Sequence, residues 1–119
     1  MAVPILKQGD VLIASIQSAL TDVDLVMLRD ALVEKVSAYR TRGVIVDVTA
    51  LDVVDSFASR TLRDLAHMIR LRGAETVIVG IQPDVAFAMV QLGLTLENIA
   101  TALDLEEGLA FLARANRRR

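Results

Sequence analysis

Short apolar runs alternate along the chain with longer segments in which apolar residues recur every three or four positions. Residues 3–6 and 11–16 are two such runs. The segment 7–10 between them predicts a hairpin, with Gly9 supplying the unusual backbone angles of the turn. Pro4 cannot donate a ladder hydrogen bond, so the first strand is expected at a sheet edge. The second run is apolar on both faces, which is typical of a central strand covered by helices.

The first helical segment begins at a recognisable cap. Thr21 followed three residues later by Asp24 resembles a capping box, and the helix is predicted to run to about residue 41 and to stop at Gly43. Its core stripe is predicted to consist of Leu25, Leu28, Leu32, Val36 and Tyr39. Val26 and Val33 lie nearly a right angle away from this stripe. They either widen the buried stripe or form a subunit contact, because exposed apolar surface needs a partner.

A second strand-to-helix unit follows. Residues 44–48 form a short apolar run, and a helix is predicted from Ser56 to about residue 72, closed by Gly73. The helical spacing directs one set of side chains inward: Ala58, Leu62, Leu65 and Ile69. The opposite face carries a basic strip, which consists of Arg60, Arg63, His67 and Arg70. This strip is either a solvated helix face or a docking surface.

The remaining elements continue the alternation. A strand is predicted over residues 75–80, a helix over 83–92 with proline in its first turn, and a weak strand around 98–102. Asp104 is expected to cap a last helix, in which Gly108 either packs tightly or allows fraying. The order predicts one α/β domain over residues 1–119, with a mixed, mostly parallel sheet of four to five strands and about four helices.

Composition removes several classes of function. The 119 residues contain no cysteine, which excludes disulfides, thiolate zinc sites and cysteine nucleophiles. They contain one histidine, His67. No apolar stretch is long enough to span a bilayer, and the start lacks a secretory signal, so a cytoplasmic protein that does not enter membranes is expected. The net charge of −2 gives no field that would recruit nucleic acid, and the arginines at 114 and 117–119 are interpreted as a solvated terminus.

Catalytic motifs are missing as well. The glycines are scattered singly and form no phosphate-binding loop, and His67 lies three helical turns beyond Ser56, too far for a serine triad. We therefore expect no enzymatic activity and no cofactor. Asp47, Asp52 and Asp55 could bind magnesium through their oxygens, but we expect them to order the loop by hydrogen bonding to backbone amides.

Ser56 has two interpretations. As a structural N-cap, its hydroxyl would accept a hydrogen bond from a backbone amide of the helix. As a phosphoacceptor, it would place a phosphate at the positive end of the helix, with Arg60 one turn away and with Asp52 and Asp55 repelling the new charge. That balance would leave the fold intact while changing the surface, which is the behaviour of a binding switch.

The whole chain resembles the STAS domain family, the fold of anti-anti-sigma factors and sulfate-transporter tails. Val-Ile-Val-Asp-Val-Thr at 44–49, followed by Val-Asp-Ser-Phe at 54–57, carries the resemblance. Further motifs resemble the branch of stressosome scaffold and antagonist proteins of the RsbS type. These are Ile-Leu at 5–6, Ser-Ile-Gln at 15–17, Val-Gly-Ile-Gln-Pro-Asp-Val-Ala at 79–86, Leu-Gly at 92–93 and Thr-Ala-Leu-Asp-Leu-Glu-Glu-Gly-Leu at 101–109.

The resemblance implies a partner-switching protein without catalysis. Its partners would be a serine/threonine switch kinase, STAS-containing co-antagonists and a PP2C-type phosphatase, within a large shell built from homo-oligomers. Phosphorylation of Ser56 would release the kinase and so control a general stress response, with Ser59 as a competing acceptor. The kinase-binding candidates are Asp52, Asp55, Phe57, Ser59, Arg60 and Arg63, and the oligomer contact candidates are Val26 and Val33.

Two departures and one alternative accompany this resemblance. Many sigma-regulating members follow the acceptor serine with a small residue and a glycine, whereas Phe57 and Ala58 stand here. Co-antagonists usually carry threonine at the acceptor position and an N-terminal sensory domain. The alternative function is a simple anti-anti-sigma factor that binds an anti-sigma kinase in a one-to-one partner switch.

Overall fold

The computed structural model describes residues 3–117. Nine elements follow one another along these residues. They are β1 (Ile5–Gln8), β2 (Val11–Ser15), α1 (Asp22–Tyr39), β3 (Gly43–Asp47), α2 (Ser56–Leu71), β4 (Glu75–Val79), α3 (Pro83–Gln91), β5 (Ala100–Ala102) and α4 (Leu105–Arg117). The predicted α/β fold with four helices and a five-stranded mixed sheet is confirmed.

The strands lie side by side in their chain order. β1 pairs with β2 in antiparallel fashion, and the pairs β2–β3, β3–β4 and β4–β5 are parallel. β1 is an edge strand, as Pro4 predicted, and Gly9 in the β1–β2 hairpin has a φ of +59°. Because β2, β3 and β4 are parallel, the loops that follow β3 and β4 emerge at the same edge of the sheet.

Alternating strand residues build two cores. Val44 and Val46 face the larger core, which α1, α2 and α3 cover, whereas Ile45 between them faces the smaller core under α4. Gly108 of α4 packs tightly, since a Cβ atom there would lie 2.8 Å from Val79 Cγ1. The open question of packing or fraying at this glycine is thus answered by close contact with the sheet.

α1 begins as predicted and ends differently. The capping box is present: Asp24 N donates to Thr21 Oγ1 (3.1 Å) and Thr21 N donates to Asp24 Oδ2 (3.3 Å). The helix ends at Tyr39 because Arg40 adopts the left-handed conformation (φ 52°), so the predicted stop at Gly43 is wrong and that glycine opens β3. Tyr39 is 52% exposed and does not belong to the core stripe, because the helix ends beside it.

The other predicted elements are present, with ends that shift by one or two residues. α3 starts at Pro83 and Gly93 follows it with a φ of +69°; Asp104 caps α4 by accepting from Glu107 N at 2.9 Å. Within residues 3–117 no helix has the length and apolar character needed to cross a membrane. Two arginines of the basic terminus, at positions 118 and 119, lie outside the described residues.

Candidate functional site

The loop from residue 48 to residue 55 joins β3 to α2 and is anchored at several points. Val48 N donates to Val79 O (3.0 Å), and Leu51 N donates to Val48 O (2.9 Å) in a tight turn. Leu51 and Val54 are buried against the larger core, whereas Val53 between them is 73% exposed. The loop therefore buries two apolar anchors and presents the residues around them to solvent.

The neighbouring β4–α3 turn clamps this loop from the side. Asp47 Oδ1 accepts hydrogen bonds from Thr49 N (2.9 Å) and Thr49 Oγ1 (2.6 Å), and Gln82 Nε2 donates to Thr49 O (2.6 Å). Gly80 has a φ of +80° and lies so close to Thr49 that a Cβ atom would overlap the threonine side chain. The start of the loop is thus held by side-chain bonds and by close backbone packing.

The amino end of α2 is capped by Asp55. Its backbone is extended, and its Oδ1 accepts from Ala58 N at 2.8 Å. Ser56 is the first helical residue and is exposed, so the prediction that its hydroxyl is the N-cap is wrong. Because the carboxylate one residue earlier satisfies the amide, the Ser56 hydroxyl is left over, and within residues 3–117 no hydrogen bond to it is found. The Ser56 hydroxyl is therefore exposed to solvent at the first position of the helix.

Ser59, the competing acceptor, is buried rather than exposed. Ser59 is 1% exposed, and its Oγ is buried without a hydrogen-bond partner among the described residues. This burial contradicts its inclusion in an exposed kinase-binding surface; Ser59 lies on the same helix face as the buried Leu62 and Ala66. Phe57 is half-buried, and its carbonyl accepts from Thr61 Oγ1 at 2.9 Å.

The basic strip on α2 is exposed as predicted. Arg60, Arg63 and His67 all lie on the solvent side of the helix. Arg70 is engaged further: Nη2 donates to Asn98 O at 2.8 Å and lies 3.7 Å from Glu75 Oε2. The strip therefore begins at Arg60, beside the β3–α2 loop, and ends at Arg70, which contacts the segment before β5.

The three loop carboxylates do not converge on a metal. In the described part of the chain, no cluster of three or more histidine, aspartate or glutamate side chains is arranged to hold an ion. Asp47 and Asp55 instead bond Thr49 and Ala58, which confirms the loop-ordering role predicted for them. Asp52 is exposed on the loop.

An apolar cleft of about 120 Å³ lies beside the amino end of α2. Its walls come from the β2–α1 connection, α1 and the loop, with Leu20, Leu25, Leu51 and Val53 among them and Asp55 and Ala58 at the helix end. Val53 was missed by sequence reasoning.

The oligomer contact candidates on α1 are partly buried. Val33 packs against the larger core and Val26 is half-buried, while Val23 (67%) and Met27 (61%) are the more exposed apolar residues of this helix. A wide buried stripe accounts for Val33. A subunit contact at Val26 and Val33 stays a prediction.

Comparison with known proteins adds the family. The model of the STAS domain matches residues 2–108. RsbS of Moorella thermoacetica, solved as a serine-to-glutamate variant, is 34% identical with a TM-score of 0.83 over 97% of each chain. A chain in the solved molecular architecture of the stressosome is 32% identical, with a TM-score of 0.77 over 96% of this chain and 99% of that one.

A curated relative is longer. The RsbT co-antagonist protein RsbRA of Bacillus subtilis is 29% identical over 82 residues, which is 69% of this chain and 30% of RsbRA. The chain thus spans less than a third of the length of this co-antagonist. The family match over residues 2–108 and the likeness to RsbS over nearly the full length of both chains agree with the fold, so the chain belongs to the STAS domain family.

Proposed function

We propose that this chain is a non-enzymatic scaffold and antagonist of a stressosome-type assembly. It binds a serine/threonine switch kinase and releases it when Ser56 is phosphorylated, which controls a general stress response. The observation that carries the proposal is the exposed Ser56 hydroxyl at the first position of α2, left without a structural role by the Asp55 cap. A cytoplasmic location belongs to the same proposal.

Electrostatics explains how such a phosphate would act on the surface. A phosphoserine adds about −1.5 to −2 charges. The helix dipole favours this charge at residue 56, but Asp55 already occupies the Ala58 amide and, with exposed Asp52, repels the phosphate. Neither effect reaches Leu51 or Val54, the buried anchors of the loop. Phosphorylation would therefore leave the fold in place and make the kinase-binding surface strongly negative.

The surface proposed for the kinase surrounds Ser56. It consists of exposed Asp52, Val53 and Arg60, the half-buried Phe57, and Arg63 one turn further along α2. The apolar cleft beside Val53 offers room for an apolar side chain of the kinase, while the loop acids give the surface charge specificity. A phosphate on Ser56 would lie within this surface, so phosphorylation and kinase binding would oppose each other.

The relatives support the same role. RsbS is similar over its full length, one chain of a stressosome is similar over nearly all of its length, and RsbRA is named as a co-antagonist of RsbT. The solved Moorella protein carries glutamate in place of a serine, a substitution that introduces negative charge as phosphate does. Co-antagonists with a STAS domain and a resetting PP2C-type phosphatase are the further partners in this proposal.

The direct test is to map the phosphate. The purified chain would be incubated with the switch kinase and Mg-ATP and then analysed by tandem mass spectrometry, beside Ser56→Ala and Ser59→Ala. RsbT, the protein named in the description of the co-antagonist RsbRA, is our candidate for that kinase. We expect one phosphate on Ser56, absent in Ser56→Ala and unchanged in a folded Ser59→Ala. A chain left unmodified while the kinase phosphorylates another substrate would contradict the switch.

Particle size separates this function from the alternative. Sedimentation of the chain with a co-antagonist and the kinase should give a large assembly that contains all three. A small one-to-one complex with the kinase alone would instead support a simple anti-anti-sigma factor, in which Ser56 could still be the acceptor.

A further inference from the structure

A second polar site lies at the carboxyl ends of α1 and α2. The two helices run in the same direction along one face of the sheet, so their last residues meet at the edge opposite the β3–α2 loop. A cavity of about 550 Å³ opens between them. It is lined by Val36, Ser37, Arg40, Thr41, Arg42, Arg72 and Gly73.

The cavity is strongly positive. Arg40, Arg42 and Arg72 contribute three guanidinium groups, and no carboxylate within residues 3–117 forms an ion pair with any of them. Arg72 Nε donates to Ser37 Oγ (2.9 Å), which orients the guanidinium along the cavity wall. The nearby Glu75 is already paired with Arg70 on the outside of α2.

Two features of the cavity floor are unusual at the end of a helix. Arg40 holds a left-handed backbone conformation (φ 52°), which is strained for a residue with a side chain. Thr41 is 4% exposed, and its Oγ1 is buried without a hydrogen-bond partner in the described structure. A buried hydroxyl without a protein partner can bond to a bound group or to water, and Thr41 is the one such group among the described residues that lines this cavity.

Helix capping does not account for this cluster. Arginines at carboxyl ends do complement the helix dipole, but a capping arginine would bond helix carbonyls, and Arg72 bonds a hydroxyl instead. Glycine would hold the Arg40 conformation with less strain. The two helix ends contribute together about one negative charge, which three arginines outweigh. The site therefore retains a net positive field.

We propose that this cavity binds a small phosphate-bearing anion. Guanidinium groups bind phosphate oxygens through two parallel hydrogen bonds, and the three exposed arginines that line this cavity can turn toward a phosphate or diphosphate group bound in it. The volume is in the range of small-molecule sites and leaves room for more than one phosphate. Thr41 would supply a hydroxyl to the same anion or to a water bound with it.

A similar four-residue motif occurs at the end of both helices. Arg-Thr-Arg-Gly at 40–43 follows α1 and ends on the first residue of β3, whereas Arg-Leu-Arg-Gly at 70–73 begins in the last turn of α2 and ends two residues before β4. Right-handed crossover connections bring equivalent positions of successive units to the same edge. Arg42 and Arg72 are the third residue of Arg-x-Arg-Gly in each unit, and both line the cavity.

The proposed site is separate from Ser56. Sixteen residues of α2 separate Ser56 from Arg72, which is about 24 Å along a helix. Anion binding here does not rest on the phosphorylation switch, and either proposal can fail without the other.

The test measures binding directly. Inorganic phosphate, pyrophosphate, tripolyphosphate and ATP would be titrated into the full chain at constant ionic strength, and binding would be followed by amide chemical shifts and calorimetry. We expect saturable shifts confined to the residues of this cavity, tighter for pyrophosphate than for phosphate. If ATP binds no tighter than tripolyphosphate, the anion alone is recognised; a clear excess for ATP would identify a nucleotide as the ligand.

A matched pair of variants controls for bulk charge. Arg40→Gln with Arg42→Gln should weaken pyrophosphate binding by about tenfold or more, whereas Arg60→Gln with Arg63→Gln removes equal charge at the other end of α2 and should leave it unchanged. Equal losses in both double variants, or shifts reproduced by chloride at equal ionic strength, would overturn the proposal and leave only an adventitious ion.

Arg40→Gly separates binding from folding. Glycine adopts the left-handed conformation easily, so this variant should melt at the same or a higher temperature while binding pyrophosphate less tightly. A lower melting temperature with unchanged pyrophosphate affinity would assign Arg40 a purely structural role and contradict the proposed site.

Discussion

The two ends of α2 differ in charge and in how they are supported. At the amino end, Asp55 caps the helix and a tightly bonded loop leaves one exposed hydroxyl, on Ser56. At the carboxyl end, Arg72 borders an open cavity with two further arginines. The negative charge at the amino end and the positive charge at the carboxyl end both complement the helix dipole, so neither end opposes folding. One helix thus presents, at ends about 24 Å apart, a firmly bonded surface around an exposed hydroxyl and an open cavity lined by arginines.

The largest expected effect tests the rigidity of the amino end. Gly80→Ala should lower the free energy of unfolding by about 3 kcal/mol, because the new Cβ would overlap Thr49 and the backbone has a φ of +80°. Gly73→Ala is the matched control near the carboxyl end. Its φ is +88° but nothing lies within 4 Å of the new Cβ, so only the backbone strain of about 1 kcal/mol should appear.

Chemical denaturation of both glycine variants measures this contrast. Equal losses of stability would show that the loop yields freely around Thr49, and the rigid support described for the amino end would then be wrong.

A smaller effect is expected on partner binding when the charge at the amino end changes. Ser56→Asp should reduce affinity for the switch kinase by about tenfold or more, equivalent to about 1.4 kcal/mol, with little change in melting temperature. Ser56→Asn is the isosteric, uncharged control and should retain binding. Calorimetry with the kinase would measure both. Loss of binding in both variants would indicate that the hydroxyl itself, rather than negative charge, is recognised.

The helix cap gives the next smaller effect. Asp55→Ala should destabilise the protein by about 1 kcal/mol, because the Ala58 amide loses its acceptor. Ser56→Ala should change stability by less than about 0.5 kcal/mol, since this hydroxyl caps nothing. Thermal or urea unfolding of the two variants ranks them. A larger loss of stability in Ser56→Ala than in Asp55→Ala would show that the serine caps the helix.

The smallest effect is expected on the outside of the carboxyl end. Arg70 and Glu75 are 3.7 Å apart and partly exposed, with side chains 46% and 23% accessible. Arg70→Gln should therefore change the free energy of unfolding by less than about 1 kcal/mol, because this ion pair and the hydrogen bond from Arg70 to Asn98 O are both exposed. It should also leave anion binding unchanged, because Arg70 does not line the cavity; a loss of pyrophosphate affinity in this variant would redraw the boundary of that site.

The sequence was sufficient for the fold because periodicity, glycine turns and the capping box all agree. The predictions were wrong at the ends of helices, where neighbouring residues offer equivalent chemistry. Asp55 and Ser56 are both good N-cap residues, and only the backbone path decides that the carboxylate takes the amide. At the end of α1, glycine was the expected stop, but Arg40 adopts the left-handed conformation three residues earlier.

The candidate site was predictable in part. Ser56, Asp52 and Arg60 were identified from their positions at a helix start, and the structure exposes all three. The burial of Ser59 could have been read from its spacing, because it precedes inward-facing Leu62 by three residues. The arginine cavity was missed because its members lie about 30 residues apart in sequence, and only the parallel arrangement of α1 and α2 brings them together.

The burial of Leu51 and Val54 on either side of exposed Asp52 and Val53 has an evolutionary consequence. Two positions fix the path of the loop, and the two between them contribute little to folding. Substitutions at those inner positions can therefore accumulate after gene duplication without unfolding the protein. Under the proposed function, paralogues could diverge in which kinase they recognise by changing only these side chains.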